Sequence, residues 1–187
     1  MVKNYVQKLL MKGSLPFLLW GLIGLPLFAQ QPKVLFQSGI TTFPENINSF
    51  QPSVDVKSSE VIHGNFYRYV QFHQIPSQET QNSFKDLGIH VIGYIPHNTY
   101  LMSIPETVSQ QQLRSLGVRS MVKVSTQQKI DHQLRQLPHP DYTMQGNKLR
   151  IAMVHYDDIP QSYVINQLVQ QNIEVISAHE DYQILQV

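Results

Sequence analysis

The chain has 187 residues, with 14 Lys and Arg against 13 Asp and Glu, 42% hydrophobic residues and no cysteine. Disulfides and thiol chemistry are excluded, and the apolar content suits a packed core rather than a disordered polymer. Lys3, Lys8 and Lys12 all lie in the first dozen positions. Without them the chain is slightly acidic and keeps no Lys/Arg cluster to neutralise phosphates, which argues against a nucleic-acid partner.

Those lysines precede the run LPFLLWGLIGLPLFA, residues 15–29, after which the sequence turns polar at Gln30, Gln31 and Pro32. A basic start, an apolar middle and a small residue before a polar stretch is the layout of a secretory signal peptide. The other reading is a retained anchor. About 15 apolar residues fall short of the ~20 that a spanning helix needs, and Gly21, Gly24 and Pro26 weaken the run further. The expectation is therefore a leader over 1–29, no stable membrane anchor after cleavage, and a secreted or periplasmic product.

Residues 30–64 hold one short apolar run, Val34-Leu35-Phe36, in sequence rich in Ser, Thr, Asn and Pro, and read as an irregular lead-in with at most one strand. From Phe66 the pattern sharpens. Phe66, Val70 and Phe72 fall on one side of a period-two strand, and Tyr67, Tyr69, Gln71 and His73 on the other. Ile75-Pro76-Ser77 stops that strand and starts a helix that Ser77 caps and Gly88 closes. Ile89–Ile95 and Thr99–Ile104 read as strands around a Pro96-His97-Asn98 turn. Pro105-Glu106-Thr107 opens a second helix with Leu113 and Leu116 on its apolar face; Gly117 ends it, and Val118–Val124 is a fourth strand. This β-α-β-β-α-β order over residues 65–125 defines an α+β, ferredoxin-like domain, with both helices on one face of an antiparallel sheet and the other face open.

Residues 126–147 are polar and carry two prolines, and read as a linker. The pattern then returns over 148–187. Lys148–His155 reads as a strand, Ile159-Pro160 opens a helix carrying Val164, Ile165, Leu168 and Val169, and Ile173–Ser177 and Tyr182–Val187 read as strands. Pro76 to Gly88 spans 12 positions, and so does Pro160 to Asn172. An internal duplication offset by 84 residues follows, its second copy an incomplete βαββ repeat. The missing last helix and strand leave a sheet edge bare. Either the segment around Val34 fills that place or the chain is the front part of something longer.

Chemistry is sparse. There is no G-x-S-x-G, no glycine-flanked nucleophilic serine and no phosphate-binding glycine loop. His63-Gly64 precedes a strand, where a subtilisin-type histidine motif would open a helix. His90 and His97, and the H-x-D-D cluster of His155, Asp157 and Asp158, lack the paired spacing of a zinc site. No catalytic residue, metal ligand or cofactor is assigned, and the chain is not expected to be an enzyme. The face carrying Tyr67, Tyr69, Gln71 and His73 is the candidate partner-binding surface, unless the linker or the second copy covers it within the same chain.

The runs LFQSGITTFPENIN, YRYVQFHQIPSQE, LGIHVIGYIPHNTYLMSIP and LRSLGVRSMVKVS resemble the N-terminal pro-region of secreted bacterial subtilisin-like serine peptidases. The resemblance spans roughly residues 34–187, and QF-x-x-IPS and YIP-x-NTYL-x-SIP carry it most specifically. It implies a ferredoxin-like propeptide that assists folding of a catalytic domain and inhibits it. The propeptide sheet would rest on the enzyme, with a following segment in the substrate cleft. The family's catalytic Asp, His and Ser motifs are absent from all 187 residues, so no catalytic residue is carried over. The expected function is a non-catalytic folding assistant and inhibitor of a subtilisin-like peptidase domain, in trans or encoded downstream, with the chain a truncated product. The alternative is an exported binding or structural module with the same fold and no connection to a peptidase.

Overall fold

Alternation of large side chains over Asn65–Phe72 builds the central strand β3, around which the first sheet is organised. The computed structural model describes residues 33–36, 39–43 and 47–187; the leader expected over 1–29 lies outside the described residues. The described residues mix α-helix and β-strand, with short helices and several antiparallel sheets.

The lead-in is more regular than expected. Strands β1 (Lys33–Phe36) and β2 (Gly39–Thr42) form a hairpin with Val34 opposite Thr41. A short helix α1 (Pro52–Asp55) and two 3-10 turns lead into β3. Helix α2 (Gln78–Asp86) starts where Ser77, in extended conformation, accepts the Thr80 N–H at 3.2 Å. It closes at Gly88 (φ +70), where the Ile89 N–H donates to the Phe84 carbonyl at 2.8 Å. Strands β4 (His90–Ile95) and β5 (Thr99–Pro105) follow, joined at His97 and Asn98, both with positive φ. Helix α3 (Gln110–Ser115) begins later than Pro105 suggested. Pro105 ends β5 opposite Asn65, and the reciprocal capping of Ser109 and Gln112 sets the helix start instead. Strand β6 (Val118–Lys123) completes the sheet in the order β4-β5-β3-β6, every neighbour antiparallel.

Phe84 of α2 and Leu113 of α3 pack into one core with Phe66, Val70 and Phe72, so both helices bury their apolar sides on the same face. The opposite face is not open. Val34 and Phe43 cover it in a second core with Tyr69 and Val124.

After α4 (Thr126–Lys129) the chain turns irregular, with 3-10 turns at His132–Arg135 and Asp141–Thr143. The strand expected over 148–155 is split in two. Lys148–Leu149 (β8) folds back on Met144–Gln145 (β7) around Gly146. Ala152–Val154 (β9) changes partner and pairs with Ile184–Gln186 (β11). Helix α5 (Gln161–Gln170) ends at Asn172 (φ 58), the counterpart of Gly88. The next strand begins at Ser177 (β10, Ser177–His179) rather than Ile173, although the Ile173 N–H donates to the Leu168 carbonyl at 2.9 Å as that of Ile89 does to Phe84. The second sheet has the order β10-β11-β9, which is the second-third-first order of β4, β5 and β3. On the far side of β3 lies β6; on the far side of β9 no strand lies among the described residues. Val34 pairs within its own hairpin and does not fill that edge.

Candidate functional site

Tyr67, Tyr69 and Gln71 follow one another on the β3 face turned away from α2 and α3, as their spacing requires. All three are buried, however, so the expectation of a free docking surface is corrected at these positions. The Tyr67 hydroxyl donates to both carboxylate oxygens of Asp158, at 3.1 and 3.0 Å, and its ring stacks on Tyr156 at 4.8 Å. Burial, reinforced by the Asp158 charge, raises the Tyr67 phenol well above its ordinary range. The Tyr69 ring lies 4.8 Å from that of Phe36, and burial raises its phenol as well. Gln71 is 1% exposed. Its amide donates to the His97 carbonyl at 3.0 Å, and its side-chain oxygen accepts from the Arg119 guanidinium, with Nε at 3.0 Å. Only His73, beyond the strand end, remains exposed. The turn before α5, in the region read as the second copy, covers Tyr67 as the sequence reading allows, whereas the N-terminal hairpin that covers Tyr69 is not among the segments expected there.

Other sequence candidates are separated or placed at this internal contact. His90 Nε2 lies 3.2 Å from Asp157 at an exposed position. The His63 ring meets Tyr163 edge-on at 4.4 Å. His155 donates from Nδ1 to the Tyr156 carbonyl at 2.9 Å, which holds its ring in place. No group of three His, Asp or Glu side chains among the described residues is arranged to hold a metal ion.

Periodicity did not reveal the role of Arg68. It is 4% exposed, on the same side of β3 as Phe66 and Val70, with its guanidinium 5.4 Å from the Phe66 ring centroid. It donates to Glu60 at 2.6 Å and to the Tyr67 carbonyl at 2.9 Å, and Lys123 reaches the other Glu60 oxygen at 2.8 Å. The Lys123 ammonium, and then Arg68, hold the Glu60 carboxyl below its ordinary range against the opposing effect of burial. A basic residue inside a strand, with Glu60 eight positions before it, was the available signal. The arrangement neutralises a buried guanidinium within the central strand.

The most exposed stretch lies between the two sheets. From Ile130 to Tyr142 nearly every residue is exposed, including Leu134, Leu137 and Tyr142. Large apolar side chains here sit on irregular backbone with no partner strand.

Residues 35–125 match a family described as a domain of unknown function (DUF8729). The match runs from β1 through β6 and stops before α4. No curated protein and no solved structure matches the chain. No helix among the described residues is long and apolar enough to cross a membrane.

Proposed function

We propose that the chain is a secreted, non-catalytic module of the propeptide type, which engages a subtilisin-like serine peptidase domain through its exposed segment at residues 130–142. The carrying observation is that segment: Leu134, Leu137 and Tyr142 stand out from irregular backbone between two folded sheets. A peptidase cleft binds extended backbone with side chains in successive pockets, and such a stretch meets that need without unfolding either sheet. The β4-β5-β3-β6 order with both helices on one face supports a ferredoxin-like first domain. The matching order of the second sheet supports an incomplete second copy. Binding would assist folding by stabilising the partner's native state.

The covered Tyr67-Tyr69-Gln71 face favours a second reading, an exported binding or structural module with no peptidase connection. One titration separates the two. A purified subtilisin-like peptidase is titrated with the folded protein while hydrolysis of a chromogenic peptide is followed. Inhibition that fades as the 130–142 segment is cut, and that Leu137→Asp with Tyr142→Asp abolishes, is the expected result. No inhibition at high micromolar concentration by folded protein overturns the propeptide reading in favour of the second.

A further inference from the structure

We propose that the groove between the first sheet and α5 binds an apolar molecule with one anionic end, of the alkyl carboxylate class. The groove encloses about 780 Å³, within the ~300–1,000 Å³ range of small-molecule sites. One wall is Tyr69 and Leu101 from the first sheet with Val124 just past β6, and the other is Met153 from β9 with Tyr163 and Leu168 from α5. These walls are apolar and aromatic and supply the area an alkyl chain needs to leave water.

Charge chooses the end group. No Asp or Glu lines the groove, and its lysine is Lys129, exposed at the rim. Lys129 belongs to no ion pair among the described residues, so its charge is available at the groove. Gln171 also lines the groove and its amide adds a donor to a carboxylate, whereas the amides of Gln128 and Gln167 already donate to Thr41 and Gln170, leaving each one N–H to offer. A cationic amphiphile would meet Lys129 instead, and an uncharged one would gain nothing from it. This site is independent of the peptidase reading, since it uses no residue of the 130–142 segment.

The test is calorimetric titration of the protein with decanoate below its micelle concentration, with 1-decanol as the uncharged control. Saturable binding of one decanoate per chain is expected. Leu168→Trp fills the groove and should weaken binding at least tenfold, with circular dichroism confirming the fold. Should Leu168→Trp fail to fold, Gln167→Glu with Gln171→Glu serves, since both positions are exposed and the change puts the wrong charge at the mouth. Lys129→Gln should weaken decanoate about threefold, the scale of an exposed ion pair, and leave decanol unchanged. Absence of saturable binding overturns the site, as does binding that Leu168→Trp and the double variant both leave intact. Equal loss of decanoate and decanol in Lys129→Gln overturns the anionic assignment. A concentration-dependent dimer abolished by Leu168→Trp gives the groove to a second copy instead.

Discussion

Glu60 neutralises a nearly buried arginine, Arg68, at 2.6 Å. Removing one partner of such a pair leaves the other charge without compensation, which costs about 3–5 kcal/mol when burial is complete. Arg68 keeps its bonds to the Tyr67 and Asp55 carbonyls, so Glu60→Gln should cost about 3 kcal/mol in urea unfolding at pH 7, near the lower end. The pH dependence has a definite sign. The folded carboxyl titrates below 4.5 and the unfolded one near that value. The unfolded state therefore takes up the proton first as pH falls. Stability from this group is complete above about pH 4.5 and drains away below it, toward the lowered folded value. Unfolding midpoints measured between pH 6 and pH 3 should fall less steeply in Glu60→Gln than in the parent. Equal slopes would mean that the bridge is not formed in solution.

Helix closure at the scale of single elements rests on left-handed residues at Gly88, Gly117 and Asn172, of which the first and last differ most in side chain. Gly88 has φ +70, and an added Cβ would lie 3.3 Å from the Pro105 side chain. Gly88→Ala combines the left-handed penalty with that close approach and should destabilise the protein by about 1–2 kcal/mol. Asn172 holds the same conformation with a side chain that tolerates it. Asn172→Gly should be neutral or slightly stabilising. Thermal unfolding of the two variants checks both, and a cost at position 172 as large as at 88 would show that its role is not conformational. Caps and closures of this kind were legible in advance, because Ser77, Gly88 and Asn172 act on backbone within a few positions. The split at Lys148–Val154 was not, since it depends on Met144–Gln145 and Ile184–Gln186 competing for one segment from opposite directions in sequence.

For the whole molecule, the consequential feature is that the chain folds onto its own sheet. Asp158, 91 positions from Tyr67, closes one part of the face, and the hairpin at Val34 closes another. The segment between α4 and β7 stays outside both packed regions. Limited proteolysis of the folded protein with a broad-specificity protease should cut first within 130–142, giving two fragments that remain associated through the Tyr67–Tyr156–Asp158 contact. Mass spectrometry of the early products and size exclusion under native conditions check this. First cuts inside 65–125 would contradict the arrangement.

Alternation, caps and left-handed residues were determined by the sequence alone, because each is a property of neighbours in the chain. So was the division of Tyr67, Tyr69 and Gln71 from Phe66, Val70 and Phe72, which follows from the period of a strand. What lies against each face was decided only by the tertiary structure. An aromatic strand face must be buried, but its pattern does not say whether a partner, a linker or a distant hairpin buries it. Here the turn at Tyr156–Asp158 and the hairpin at Val34 do so, through contacts too remote in sequence for any local signal to encode.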